Sequence, residues 1–343
     1  MAHTLNLSAL TLNPKEQTEF SQFIQERIFE TPALADIFDI RTGVKMKEQI
    51  VFASLLSKSG IKDTSCTRPA SGATSTLTQK YFEPVGVGDT FEMCQTEVNA
   101  LFKAYYDKIN SYKEKFDITG SDEELFLSAL IENSASMAIQ RLAWFGDTAI
   151  AAATSGAAGL ISSGDVKFYD AMNGIWKQIF AGVTATTITK TNIETTAEAT
   201  FEGIWAAADT RLRTSPDKMI MVSRSIFDKF TKELRAAQQN FSLEYTENGM
   251  AMVKWNGIPV VNMENVWDLN LADFVENTTT NDPYLPDRVV LTVKNNFALG
   301  TLNDGDFTEL EAWYNKDERK NKLAYGMTID AKLLEEYLVS VAY

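Results

Sequence analysis

The strongest periodic signal in the chain runs from Ser121 to Asp147. Leu127, Ile131, Ala138, Leu142 and Phe145 recur at helical spacing, and Leu130, Met137 and Trp144 widen the stripe into the apolar face of a long helix. Ser121 and Glu124 are placed as a capping box, and Asp122, Glu123 and Glu124 put negative charge where the helix dipole favours it. Gly146 is a natural stop. Such a helix spans about 35–40 Å. It carries no reactive constellation, so it reads as a structural spine.

Other segments follow the same two periodicities. Asn13-Pro14-Lys15-Glu16 opens a short amphipathic helix with Phe20, Phe23, Ile24 and Ile28 on its apolar side, ended by Thr31-Pro32. From Gly43 to Thr90 the texture turns to strand and loop. A polar stretch over Ser57–Thr78 is flanked by strand-like Gln49–Leu56 and Lys80–Val87, which predicts an extended two-stranded loop that needs partners for stability. Gly86-Val87-Gly88-Asp89 reads as a turn, and Phe91–Tyr106 is ambiguous between strand and helix. After the spine, Phe168, Met172, Ile175, Trp176 and Ile179 mark one helix, and Thr184–Thr191 a polar link. Phe201, Ile204, Trp205, Ala208 and Leu212 mark a second helix, ended by Ser215-Pro216. Met219–Val222 is a buried strand, and Ser223 caps a helix whose core face is Ile226, Phe227, Phe230 and Leu234. Asn256-Gly257 between Met252–Trp255 and Ile258–Val261 is the preferred two-residue hairpin turn. Pro259 implies an edge strand, or an N position facing away from the ladder. Strands are expected over Arg288–Val293, Glu309–Tyr314 and Leu323–Ile329, with a β-rich segment over Leu338–Tyr343.

Composition narrows the function. The 343 residues suffice for two or three modest domains, and 45% hydrophobic with 23% charged residues is ordinary for a globular chain. No run reaches the length of a membrane helix, and the first thirty residues lack the pattern of a secretion signal. Cys66 and Cys94 are too few for a disulfide framework and suit a reducing cytosol. A net charge of −14, with scattered Lys and Arg, argues against gripping nucleic-acid phosphates. His3 is the single histidine, which removes Ser-His-Asp and Cys-His catalysis and His/Cys zinc sites. Carboxylates are abundant, yet none is singled out as a catalytic pair. Asp122, Glu123 and Glu124 serve the cap, and Glu335-Glu336 sits in a polar stretch read as a solvated face. Trp144, Trp176 and Trp205 fall on apolar helical faces and are expected in the core. We therefore expect no catalytic, cofactor-binding or metal-ligating residue.

The order of parts resembles the major capsid proteins of tailed bacteriophages with the Hong Kong 97-type fold. An N-terminal arm precedes an extended polar loop, and a spine helix ends in Arg141-Leu142-Ala143-Trp144-Phe145-Gly146-Asp147. A helix–strand–helix unit carries Lys218-Met219-Ile220-Met221-Val222-Ser223, and a hairpin reads Trp255-Asn256-Gly257-Ile258-Pro259-Val260-Val261. The likeness covers Ser121–Tyr343 well and the first 120 residues loosely.

The resemblance implies an α+β capsid fold: an arm over 1–42, an extended loop region over 43–90, a peripheral domain over 91–165 and 286–343 with the spine helix 121–147, and an axial domain over 166–285. It places the spine near the shell surface. It implies a non-enzymatic subunit that self-assembles through pentamers and hexamers into an icosahedral shell enclosing phage DNA. The expected partners are many copies of itself, a separate scaffolding protein (only a dozen residues precede the first helix), a portal protein and DNA held without sequence-specific contact. No membrane is implied; the protein is expected in the virion, after assembly in the host bacterial cytoplasm. Some relatives crosslink Lys to Asn with the help of a Glu. Lys58 or Lys62 and Asn295 or Asn296 could be cast in those parts, though no motif assigns them and solvated lysines are the plainer reading. The alternatives are an encapsulin-like nanocompartment shell, a tail or portal-associated virion protein of another fold, and an α/β enzyme using carboxylates.

Overall fold

The computed structural model describes residues 37–44, 48–53, 77–94, 122–152, 161–237, 244–245, 251–274, 285–301, 311–315, 317–318 and 320–343. In chain order β1 (Phe38–Arg41), β2 (Glu48–Ala53), β3 (Leu77–Phe82) and β4 (Val85–Cys94) precede the long helix α1 (Asp122–Phe145). Next come α2 (Ile175–Thr184), β5 (Thr189–Thr191), α3 (Ala197–Ala207), α4 (Thr210–Thr214), β6 (Lys218–Val222) and α5 (Arg224–Ala236). They are followed by β7 (Glu244–Tyr245), β8 (Ala251–Trp255), β9 (Ile258–Asn262) and α6 (Trp267–Leu271). The remaining strands are β10 (Val289–Val293), β11 (Phe297–Thr301), β12 (Glu311–Asn315), β13 (Lys320–Leu333) and β14 (Ser340–Ala342). The helix expected from Asn13, the polar stretch over 57–76 and the Ser121 cap lie outside the described residues.

Two large sheets share the long helix. The seven-stranded sheet has the order β5-β14-β10-β6-β9-β8-β7. The five-stranded sheet is built on the 14-residue strand β13, which pairs antiparallel with β4, β11 and β12, while β1 joins β11 in parallel. Strands drawn from 286–343 thus serve both sheets: β10 and β14 flank β6 and β5 in one, and β11–β13 make the other.

Alternation along β6 shows how the layers form. Met219 and Met221 enter the main core with Leu142, Trp144, Trp176, Trp267, Leu299 and Ile329, between the two sheets and around α1, α2 and α6. Ile220 and Val222 point the other way, onto Phe201, Ile204 and Leu212 of α3 and α4 and Ile226 and Phe230 of α5. A strand buried on both faces must be apolar throughout, which is why this one shows no alternation in sequence.

Several expectations need correction. Gly86–Asp89 is no turn: it lies inside β4, where Gly88 packs so close to β13 that a Cβ would sit 2.5 Å from the Tyr325 carbonyl. The Lys80–Val87 strand is two strands, parted at Glu83-Pro84. The helix expected across Phe168–Ile179 breaks into a 3-10 turn over Val166–Phe168 and α2, because Gly174 takes an extended conformation (φ −72°, ψ 177°). Phe168 is consequently 39% exposed. The helix over Phe201–Leu212 is likewise two, with Asp209 capping α4 through the Arg211 amide at 2.8 Å. Thr184–Thr191 ends in a strand, β5. Met137 is 50% exposed, whereas Ile139 and Ala143 take the buried positions on α1.

The hairpin forms as its sequence predicts, with Asn256 (φ 47°) and Gly257 (φ 81°) both left-handed. Pro259 nevertheless sits in an interior strand, since β9 lies between β6 and β8. It opposes Lys254, one step beyond the Trp255–Ile258 pair that flanks the turn, and pairing with β6 begins only at Val260. In a two-residue hairpin the flanking pair exchanges the hydrogen bonds and the next pair does not, so the missing N–H loses nothing.

Candidate functional site

The C-terminal end of α1 is packed into the main core. Residues 142–147 are all buried. Gly146 ends the helix, but not by a left-handed turn: its φ is not positive, and its role is close approach. A Cβ there would lie 2.4 Å from the Met172 carbonyl and 2.7 Å from that of Leu142. Gly174 faces it under the same constraint, 2.7 Å from Leu142 O and 2.8 Å from Gly146 N. The two strands of backbone are sewn together by Gly174 N donating to Gly146 O at 2.8 Å and Asp147 N donating to Tyr169 O at 2.8 Å.

Side chains lock this crossing. The Asp147 carboxylate, 8% exposed, accepts from Lys177 Nζ at 2.7 Å and from the Ala149 amide at 2.8 Å. Tyr169 donates to Asp273 at 2.5 Å, and burial together with that carboxylate pushes its phenol well above the usual range. Trp144 meets Trp267 edge-on at 5.3 Å, and Trp267 meets Trp176 at 5.2 Å. The three indole N–H groups are buried with no acceptor among the described residues, so ring packing holds the trio. The buried Arg288 guanidinium lies 4.6 Å from the Trp176 ring centre and 5.2 Å from that of Phe145, and its Nε donates to Leu285 O at 2.7 Å.

A second cluster sits where the β2–β3 ribbon leaves the body. The two strands pair antiparallel from Glu48↔Phe82 to Ala53↔Leu77. Phe82 is fully buried against Gly300, whose missing Cβ would touch the ring at 2.8 Å. Glu83 N donates to Asp330 Oδ2 at 2.7 Å, and Lys332 reaches the same carboxylate at 3.2 Å. Burial raises the Asp330 carboxyl above its ordinary value despite these donors. Lys80 Nζ donates to Leu333 O at 2.9 Å and to Glu336 Oε1 at 3.0 Å. Gln178 of α2 forks onto β13, donating to Ala331 O at 2.7 Å and accepting from Leu333 N at 2.9 Å.

No protein-family model matches the chain, and no curated protein matches its sequence. Solved structures do. A chain of the satellite phage P4 procapsid, in a structure that includes the size determination (Sid) protein, is similar over 94% of this chain and 98% of its own, at 13% identity and a TM-score of 0.53. A chain of Mycobacterium phage Ogopogo matches over 89% of each chain at 12% identity and a TM-score of 0.51. One of Gordonia phage Cozz covers 88% of this chain and 83% of its own, at 9% identity and a TM-score of 0.50. The chain has the Hong Kong 97-type capsid fold.

Within this capsid fold the groups singled out from sequence scatter. His3, Lys58, Lys62 and Cys66 lie outside the described residues, as do the side chains of Cys94 and of Asp122, Glu123 and Glu124. Asn295 sits exposed in the β10–β11 turn at φ 66°. Asn296 is buried, and its amide is committed to structure: Nδ2 donates to Glu335 O at 3.0 Å and Thr292 Oγ1 at 3.2 Å, and Oδ1 accepts from Glu335 N at 3.0 Å. That clamp does not suit an amide meant to lose its nitrogen in a crosslink. Glu335-Glu336 is no solvated face either; Glu335 accepts from Tyr337, and Glu336 from Lys80. Ser223 precedes α5 without capping it, because its hydroxyl accepts from Arg288 N at 3.2 Å. Trp144 and Trp176 are core as expected, whereas Trp205 is half-buried.

Among the described residues no group of three or more His, Cys, Asp or Glu could hold a metal, and no helix is long and apolar enough to cross a membrane. The Gly146–Gly174 crossing, Arg288 and the Lys80–Asp330–Glu336 cluster escaped the sequence reading. Asn173-Gly174 inside an apolar helical pattern was the one available signal.

Proposed function

We propose that this protein is a major capsid protein, a structural subunit that assembles with many copies of itself into an icosahedral shell around phage DNA. The observation that carries this reading is the full-length likeness to a procapsid chain, over 94% of one and 98% of the other. On this reading the subunit acts as a building part without enzymatic activity. Its copies gather as pentamers and hexamers. A separate scaffolding protein, a portal protein and packaged DNA are its partners, and it resides in the virion after assembly in the host cytoplasm. A net charge of −14 suits a wall that encloses DNA without adhering to it.

We assign the α1 helix with the five-stranded sheet to the peripheral domain, the seven-stranded sheet with α3–α5 to the axial domain, and the β2–β3 ribbon to the extended loop. Negative-stain microscopy of purified protein, alone and co-expressed with its scaffolding protein, tests the proposal. Closed particles of uniform diameter are expected. A chain that stays monomeric at high concentration in both preparations overturns it.

A further inference from the structure

The base of the β2–β3 ribbon combines one apolar pivot with ionic ties to a single neighbouring segment. Phe82 is buried with Val44, Ile50 and Ala298 in a small separate cluster, the ribbon's apolar foothold on the body. A ring in a pocket resists pulling out but does little to fix rotation about itself, because dispersion contacts are non-directional. Direction comes from the polar ties. Glu83 N reaches Asp330 right at the pivot, whereas Lys80 stands two residues farther out and reaches across to Leu333 O and Glu336. Beside this tie lies an open hollow of about 470 Å³, lined by Lys80, Tyr81, Gln178, Gly182, Lys332 and Glu336 among others, which leaves room for the ribbon to tilt.

We propose that Lys80 is an ionic strap that fixes the angle at which the ribbon leaves the body, with Glu336 and the Leu333 carbonyl as its buckle. The pair is built for adjustment rather than for holding the fold. The Lys80 and Glu336 side chains are 29% and 36% exposed, and an ion pair that open to water biases an equilibrium by only a few-fold. The carbonyl bond adds a similar factor, so removing Lys80 shifts the ribbon's population by about tenfold in all. Of the other charged groups around the site, Lys332 holds Asp330, Glu335 accepts from Tyr337, and Glu83 lines the same hollow. Lys80 is therefore a positioning residue. Its consequence for subunit joining rests on the shell reading above; the strap itself does not.

Spin labels at Ala53→Cys, on the far end of the paired strands, and Lys232→Cys, on α5, report the angle as a distance distribution in the full unassembled chain. Cys66 and Cys94 are replaced by serine in every sample. The parent chain is expected to give one narrow distance, and Lys80→Met and Glu336→Gln a second, broad population. Lys80→Arg should keep the narrow one. Identical distributions for Lys80→Met and the parent overturn the strap, as does an Arg variant as broad as the Met variant. Should Lys80→Met fail to fold, Glu336→Gln carries the same reading, since it changes a half-exposed group. Particle formation scored in parallel separates the two ideas. A parent chain that makes no particles while Lys80→Met broadens the distance refutes the shell alone, and particles with an unaltered distance refute the strap alone.

Discussion

The crossing of Gly146 and Gly174 makes Gly174→Ala a sharp perturbation. Gly174 has φ −72° and ψ 177°, a conformation alanine adopts freely, so backbone strain is absent from the accounting. The cost is contact. A Cβ would lie 2.7 Å from Leu142 O, 2.8 Å from Gly146 N and 2.8 Å from Trp144 C, all main-chain atoms that cannot rotate aside. Reaching ordinary contact requires parting the two backbones by roughly 0.6 Å, at the upper end of the ~1–3 kcal/mol typical of overpacking. The 2.8 Å bond from Gly174 N to Gly146 O weakens with it, for a further ~0.5–1.5 kcal/mol. Against this, alanine restricts the unfolded chain by ~0.4–1 kcal/mol. The net expectation is a loss of about 2–4 kcal/mol. Urea unfolding of the unassembled subunit, followed by tryptophan emission from the buried Trp144, Trp176 and Trp267, measures it. Gly203→Ala is the internal control: a Cβ on that α3 residue meets nothing within 4 Å, so it should stabilise by about 0.5–1 kcal/mol. If Gly174→Ala costs under ~1 kcal/mol while the control behaves as stated, close approach is not what requires glycine there.

Asp330 links stability to pH. Its folded carboxyl is raised above 3.8, chiefly by burial, so between 3.8 and the folded value the native state holds the extra proton. Stability therefore falls as pH rises through that window, and the penalty is complete above it. Asp330→Asn should remove this slope from a pH series of urea midpoints. Asp330→Ala should remove the slope as well, and because the Glu83 amide forfeits its 2.7 Å acceptor it should lose about 1–3 kcal/mol below that window and less above it. For Asn296→Ala, which opens both bonds to the Glu335 backbone, a loss of about 2–3 kcal/mol is expected in the same assay. Unaltered stability would show that the turn before the final strand holds itself.

What was legible in the sequence is what is decided locally. Asn256-Gly257 makes its hairpin because two left-handed residues set both the turn and the register. The spine helix declares itself because one face recurs over many turns. Where tertiary contact overrides local preference, the local pattern misleads. Gly86 and Gly88 have the composition of a turn, but Gly88 serves a close approach to Tyr325, more than two hundred residues away, in the middle of a strand. Phe168 through Ile179 carry a helical stripe that the Gly146–Gly174 crossing interrupts. The ribbon-base cluster was invisible for the same reason: Lys80, Asp330 and Glu336 look like scattered surface charges until β13 and β3 are side by side.

The place of β14 bears on how the chain is made. This short strand, Ser340–Ala342, lies inside the seven-stranded sheet, hydrogen-bonded to β10 on one side and to β5 on the other. β5 therefore has no described neighbour in that sheet until a ribosome has released residue 342, some 150 residues after β5 was translated. Pairings so distant in sequence form slowly, and nascent chains meanwhile expose open strand edges. Until β14 is in place the sheet keeps a gap one strand in from its edge, and β5 and β10 each present an unfilled side to it.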